Sequence, residues 1–170
     1  METTSTIALY QLSYREVKTY LMALLFVAGN ILLPQLCHLV PQGGLILLPI
    51  YFFTLIGSYK YGITVGLLTA ILSPLANHVL FGMPPAPVLP IILVKSTLLA
   101  IAAAYVAHRF GRVSLWAVAL SVAAYQAIGM LAEWGLTHSL HAALQDITLG
   151  LPGILLQIFG GYLLLRYLAK

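Results

Sequence analysis

The sequence predicts an all-α membrane protein, a bundle of six transmembrane helices in a single domain, and three observations support this. Only 12 of the 170 residues are charged (8 basic, 4 acidic), or 7%, whereas a soluble domain carries about 25%. Hydrophobic residues make up 61% of the chain. They form continuous runs rather than the alternating pattern of a β-barrel. Soluble enzymes, nucleic-acid-binding domains and disordered chains are therefore excluded.

Proline, glycine and charged residues divide the chain into six apolar runs suited to a hydrocarbon core about 30 Å thick. The first run follows Lys18, and residues 59–62 turn the second, short run into the third. The proline-rich residues 81–87 end the third run, residues 109–112 end the fourth, and the polar residues 137–146 separate the last two. The predicted spans cover about 19–36, 43–58, 62–80, 88–108, 114–136 and 147–168.

The basic residues predict how the bundle is oriented. When the spans alternate in direction, seven of the eight basic residues fall on one side and none falls in the opposite loops. By the positive-inside rule, that side and both termini are cytoplasmic. The positive net charge is thus a topology signal that needs no nucleic-acid partner. The seven residues are Arg15, Lys18, Lys60, Arg109, Arg112, Arg166 and Lys170.

Lys95, the eighth basic residue, lies about seven residues inside the fourth predicted span. An ionisable side chain there is costly and normally faces the bundle interior, a partner or a ligand, although a long stem can also carry the ammonium to the outer interface. Glu133, in the fifth span, has the opposite charge at a similar depth. Two roles stay open for the pair: a salt bridge that locks two spans together, or part of a ligand pocket open to the outside.

Further polar side chains gather at the same outer depth on several spans, which predicts a shared polar pocket because amides in hydrocarbon need partners. Gln126 and Glu133 are seven residues apart and so share a helix face. Trp134 and Tyr125 offer rings on which a ligand could stack. The other predicted pocket residues are Asn30, Asn77, His78 and Gln157.

Neither a metal site nor a catalytic site is expected. His138 and His141 have the spacing of a transition-metal pair if they lie on a helix, but the pattern is common and an exposed loop is the default interpretation. The sequence contains no phosphate-binding loop, nucleophile elbow or His-Glu-x-x-His motif. We therefore predict a binding protein without a cofactor, not an enzyme.

Small residues recur every four positions at Gly62, Gly66 and Ala70 in the third span. Such a stripe lets another helix approach closely. Packing inside the bundle and docking of a second membrane protein both fit this pattern.

A set of short motifs resembles a known family. Leu48-Pro49-Ile50 is followed by Gly57-Ser58-Tyr59-Lys60-Tyr61-Gly62, then by Ser73-Pro74, then by Gly82-Met83-Pro84-Pro85 leading into the fourth span. In this order they resemble the second-to-fourth helix region of the substrate-binding S components of energy-coupling factor (ECF) vitamin transporters of prokaryotes. The resemblance extends over nearly the whole chain.

The resemblance implies a six-helix bundle in the prokaryotic cell membrane with both termini in the cytoplasm. It implies a pocket near the outer face, roofed by residues 36–44 and 81–87. It also implies a transmembrane coupling protein with two ATPase subunits as the partner. In the family, helix one often carries an Ala-x-x-x-Ala stripe for this docking. Here Ala23 is followed by Val27, which leaves the Gly62, Gly66 and Ala70 stripe as the alternative docking face.

With Lys95 as a counter-ion, the expected substrate is an anionic vitamin or vitamin-like compound. Two other functions stay open. A membrane scaffold of the rod-shape-determining type would have its outer pocket filled by its own side chains. An ion-coupled carrier or channel would have a polar path that continues to the cytoplasmic side.

Overall fold

The computed structural model describes residues 9–168, and every regular element in that range is helical, as the sequence predicts. One 3-10 turn (Pro49–Tyr51) precedes the third helix, and one π-helical turn (Leu156–Gly160) joins the last two helices. In chain order the helices are α1 (Val17–Cys37), α2 (Gly43–Leu47), α3 (Phe52–Tyr61), α4 (Ile63–Phe81), α5 (Leu89–Phe110), α6 (Leu115–Thr137), α7 (Leu140–Ala143), α8 (Gln145–Thr148), α9 (Leu151–Leu155) and α10 (Gly161–Leu168).

Five helical segments are long and apolar enough to cross a membrane: α1, α4, α5, α6 and the continuous segment Leu151–Leu168. Their outer faces carry large apolar side chains such as Leu24, Val79 and Leu163, which are 66%, 80% and 62% exposed. A water-soluble surface would not tolerate so many of these side chains, whereas lipid chains can cover them. The prediction of a multi-pass integral membrane protein is confirmed.

The second predicted span, residues 43–58, is not one continuous helix. Leu48 adopts a left-handed conformation with φ 47°, and Pro49 next to it has no backbone N–H. The chain therefore breaks after α2, passes through the 3-10 turn and resumes α-helical geometry in α3. The ten residues of α3 are about 15 Å long at 1.5 Å per residue, half of a hydrocarbon core.

Short as it is, α3 occupies the centre of the bundle, in contact with α1, α4, α5 and α10. Its residues 54–60 are all buried, and Leu55 and Ile56 are fully so. Phe26 of α1 packs directly over Gly57, where an added Cβ would lie 2.9 Å from the ring. A helix that is surrounded on all sides can be apolar around its whole circumference.

Hydrogen bonds bring three parts of the chain to one end of the bundle, here called the basic end. The Lys60 ammonium donates to the carbonyl of Leu168 in the last turn of α10, a favourable position for a cation. The Tyr10 amide donates to the Lys60 carbonyl over 2.8 Å. Residues 43–61 thus return the chain from the opposite, loop end, where residues 38–42 and 82–88 connect the helices. Lys170 lies outside the described residues.

The small residues predicted as a docking face are used inside the chain. Ala23 and Ala70 are buried, 2% and 0% exposed. A Cβ on Gly66 would overlap the side chain of Ser58 on α3, and Gly62 has φ 92° against the N-terminal segment. In this arrangement Gly66 packs against α3, Gly62 packs against the N-terminal segment, and Ala23 and Ala70 are buried, so these residues lie within the chain's own packing.

Candidate functional site

A cavity of about 590 Å³ opens at the loop end of the bundle, within the size range of small-molecule pockets. Residues 40–44 line it from one connection and residues 83–85 from the other. These are the two segments that the family resemblance implies as a roof, 36–44 and 81–87.

The short central helix explains why this space exists. α3 begins only at Phe52, and the chain before it, which forms α2 and the 3-10 turn, borders the cavity. Pro49 and Ile50, just before α3, form the floor of the cavity. Pro34 of α1 and Ile92 of α5 contribute to its walls.

Glycines fix α2 beside the cavity, because they permit backbone contacts that any side chain would block. A Cβ on Gly43 would collide with the carbonyl of Cys37 at the end of α1. A Cβ on Gly153 in α9 would lie 2.5 Å from the carbonyl carbon of Leu47. The first roof segment is thereby held between α1 and α9.

The second roof segment is fixed by His78, one of the predicted pocket residues. Its Nδ1 lies 2.7 Å from the carbonyl oxygen of Pro84 in the proline-rich connection. His78 is half-buried and does not itself line the cavity. Its role in this structure is to position the connection that does.

The cavity lining is mostly apolar, with a few neutral polar groups. Within the described residues 9–168, no Asp, Glu, Lys or Arg lines it. The polar side chains on its surface are those of His38, Gln42, Asn77 and Gln145. A mostly apolar cavity with a few oriented polar groups is typical of a site for a small organic molecule.

Asn77 presents an unused hydrogen-bond acceptor. The residue is 2% exposed, and its Nδ2 donates to the carbonyls of Asn30 and Ser73, both over 2.9 Å. Because both of those partners are acceptors, the amide orientation is fixed with the nitrogen facing them. Its Oδ1 has no partner among the described residues.

Asn30, also predicted for the pocket, supports the floor from behind. It is fully buried, and its Nδ2 donates to the hydroxyls of Thr54 (3.0 Å) and Ser73 (3.2 Å). Its Oδ1 accepts from the amide of Phe53 over 3.1 Å, which satisfies a free N–H group in the first turn of α3. Asn30 therefore holds α1, α3 and α4 together and does not line the cavity.

Lys95 is paired with two carboxylates in a triad between α5, α6 and α8. Its ammonium donates to Asp146 Oδ2 over 2.8 Å and contacts Glu133 Oε2. The three side chains are 3%, 15% and 11% exposed in that order. The Lys95 stem runs across Gly129, where a Cβ would lie 2.9 Å from its Cγ. One cation and two anions give the triad a formal charge of −1.

Three further predicted residues form a hydrogen-bonded chain between α6 and the π-helical turn. The Tyr125 hydroxyl donates to Gln157 Oε1 and accepts from Gln126 Nε2, both over 2.9 Å. The ring of Tyr51 lies beside that of Tyr125, with centroids 5.5 Å apart. The three predicted residues are buried but do not line the cavity. They are part of the packing between α6 and the last membrane segment.

Trp134, which was predicted for the pocket, and the two histidines, which were expected in an exposed loop, all lie at the surface of the chain. Trp134 is 51% exposed, since adjacent helix positions point about 100° apart and its neighbour Glu133 faces inwards. It is not a pocket residue. His138 and His141 are both exposed. In the described part of the chain, no three His, Cys, Asp or Glu side chains are grouped as metal ligands.

Two residues that pack beside the cavity and the triad, Asp146 and Tyr51, were not among the predicted pocket residues. Asp146 was interpreted as part of a polar loop, although charge counting offers a signal: it and Glu133 are the only acids after the first span. Tyr51 is 3% exposed beside Tyr125, although a tyrosine close to the end of a predicted span is more typical of an interfacial anchor. The break at Leu48 carries Tyr51 into the bundle interior.

The chain matches no protein-family model, no curated protein and no solved structure.

Proposed function

We propose that this chain is the substrate-binding subunit of an ECF-type importer, which captures a small vitamin or vitamin-like compound from outside a prokaryotic cell. The observation that carries this proposal is the cavity at the loop end, beneath both connections that the resemblance implies as its roof. Its volume of about 590 Å³ suits a small organic molecule.

The distribution of basic residues supports an outward-facing cavity. The described chain places Lys18, Lys60, Arg109 and Arg166 at the helix ends remote from the cavity. The positive-inside rule assigns that end to the cytoplasm. With residues 43–61 as the sixth, interrupted crossing, both termini are on the cytoplasmic side.

The packing beneath the cavity supports binding over conduction. Pro49 and Ile50 line the cavity, and Leu55 and Ile56 of α3 are fully buried. The buried polar side chains in this region, such as those of Asn30, Thr54 and Ser73, are hydrogen-bonded to one another, as expected for a packed interior. A bound compound is released only when a partner changes the bundle, which is the task of a coupling protein with two ATPase subunits.

The open cavity also distinguishes this function from a scaffold subunit. A scaffold needs no space for a ligand and would fill the region with its own side chains. Here glycines and prolines line the roof, and side chains of the chain leave about 590 Å³ unfilled.

The proposal is tested by binding measurements on the purified protein in lipid nanodiscs with a panel of vitamins. Ile92→Trp fills the cavity, so we expect at least about a tenfold loss of affinity for the compound that binds. Val94→Trp is the matched control, because Val94 is on the same helix, exposed and away from the cavity. Equal binding by wild type and Ile92→Trp would contradict the assigned site. No binding, together with no co-purifying coupling protein, would contradict the function.

A further inference from the structure

The charge distribution around the cavity limits what it can bind. The described residues that line it carry no formal charge, and its polar groups are amides and an imidazole. A ligand that enters loses much of its hydration shell. A carboxylate would then need a counter-ion from the protein, because burying an unpaired anion is costly.

Lys95 does not supply that counter-ion. It does not line the cavity, and its ammonium is held by both Glu133 and Asp146. The triad has an excess of one negative charge. Asp146 directly follows Gln145, which lines the cavity, so the triad with its net negative charge lies next to the cavity wall and disfavours an anion there.

Asn77 indicates that the ligand carries a hydrogen-bond donor. Its Oδ1 is a buried acceptor without a partner in the described chain, on a residue that lines the cavity. An unsatisfied buried acceptor is costly. Asn77 Oδ1 has almost no accessible surface in the unliganded cavity, so a ligand donor reaches it once the cavity wall shifts on binding, and that hydrogen bond then removes the cost. The Nδ2 cannot exchange places with Oδ1, because it donates to two carbonyls.

We infer, on the basis of the proposed function, that the cavity takes an uncharged or cationic compound whose N–H or O–H group donates to Asn77 Oδ1, and that it discriminates against carboxylates. The mostly apolar walls cover the remainder of the molecule. This reverses the expectation of an anionic substrate that follows from Lys95 when the sequence is considered alone.

Matched pairs of probes that differ in charge test this inference. Nicotinamide and nicotinate, biotinamide and biotin, and pantothenol and pantothenate are titrated into the protein in nanodiscs, with thiamine as a cationic probe. In any pair that binds, we expect the uncharged member to bind at least about tenfold more tightly. Preference for a carboxylate would overturn the inference and leave the proposed function in place. Binding of no probe would overturn the inference, and together with the absence of a co-purifying coupling protein it would overturn the proposed function as well.

Asp146→Asn tests the electrostatic cause. It makes the triad formally neutral while Lys95 keeps Glu133 as a partner, so the fold is retained. We expect the affinity for the carboxylate member to rise about three- to tenfold and that for the uncharged member to stay unchanged. Arg112→Gln, an exposed charge change at the basic end, is the control and should alter neither. An unchanged affinity ratio in Asp146→Asn would overturn the electrostatic cause.

Asn77→Leu tests the acceptor. The variant should lose about tenfold or more in affinity for the uncharged member. Ser73→Ala is its control, since it removes a hydroxyl from the same buried network but keeps Asn77 Oδ1. If Asn77→Leu folds, judged by its elution volume and melting temperature, and binds as wild type does, the assignment of the acceptor is overturned. Equal losses in both variants would overturn it too.

Discussion

Lys95 is buried between two acids, so removing it leaves both carboxylates in the bundle without a counter-ion. We expect Lys95→Met to lower the free energy of unfolding by about 3 kcal/mol, at the lower end of the cost of breaking a buried ion pair, since Glu133 and Asp146 are partly exposed. Thermal unfolding in detergent measures the change.

The neutral triple variant Lys95→Met, Glu133→Gln, Asp146→Asn is the matched control for that experiment. It removes the charges together, so it should recover most of the stability that Lys95→Met loses. A single variant as stable as wild type would show that the triad does not hold the helices together.

For single residues, the sequence predicts which charged side chains lie at costly positions inside the membrane, but it does not predict which of these side chains form ion pairs. Lys95 and Glu133 stand out because each is an ionisable residue inside an apolar run. Asp146 does not, because it lies in a polar stretch after α6. Only the path of α7 and α8 folds it back to Lys95, and no local pattern encodes that path.

Among the helices, the contact of α4 with α3 depends on Gly66. We expect Gly66→Ala to lower the free energy of unfolding by about 1–3 kcal/mol, because the new Cβ overlaps Ser58, whose hydroxyl is already bonded to the Ala100 carbonyl. Denaturant or thermal unfolding in detergent checks this value.

Gly135→Ala is the control for Gly66→Ala. Gly135 lies on the exposed face of α6 with nothing within 4 Å of an added Cβ, so alanine should raise stability by up to about 1 kcal/mol. If Gly66→Ala were neutral in isolation but abolished assembly with a coupling protein, the stripe would be a docking face after all.

Element boundaries were predictable where apolar runs are long and bounded by charge or glycine. The first predicted span, 19–36, matches α1, and the third, 62–80, matches α4 to within two residues at each end. The second was wrong as a single helix. Leucine does not favour a backbone φ of 47°. The packing of α9 on α2, two segments distant in sequence, imposes this conformation on Leu48.

For the whole molecule, the proposed topology predicts which positions face the outside. In a Cys37→Ala background, a membrane-impermeant maleimide should label His141→Cys in intact cells, since His141 is exposed at the loop end. Arg112→Cys, exposed at the basic end, should react only after the cells are permeabilised. Labelling of Arg112→Cys in intact cells would reverse the orientation.

The proposed orientation rests on the sequence alone, because topology depends on where basic residues fall along the chain. An outer pocket was predicted from the polar side chains as well as from the family resemblance, but of the predicted pocket residues only Asn77 lines the cavity. Its physical origin, a central helix that stops at half length, is a tertiary property of α2, Leu48 and α3 together.

The half-length of α3 also sets how far a captured compound still has to travel. In the proposed orientation, the 3-10 turn and the ten residues of α3 lie between a molecule in contact with Pro49 and the basic end, and α3 itself is about 15 Å long. Under the proposed function, movement of this one short central helix relative to α1, α4 and α5 would open the way to the cytoplasm.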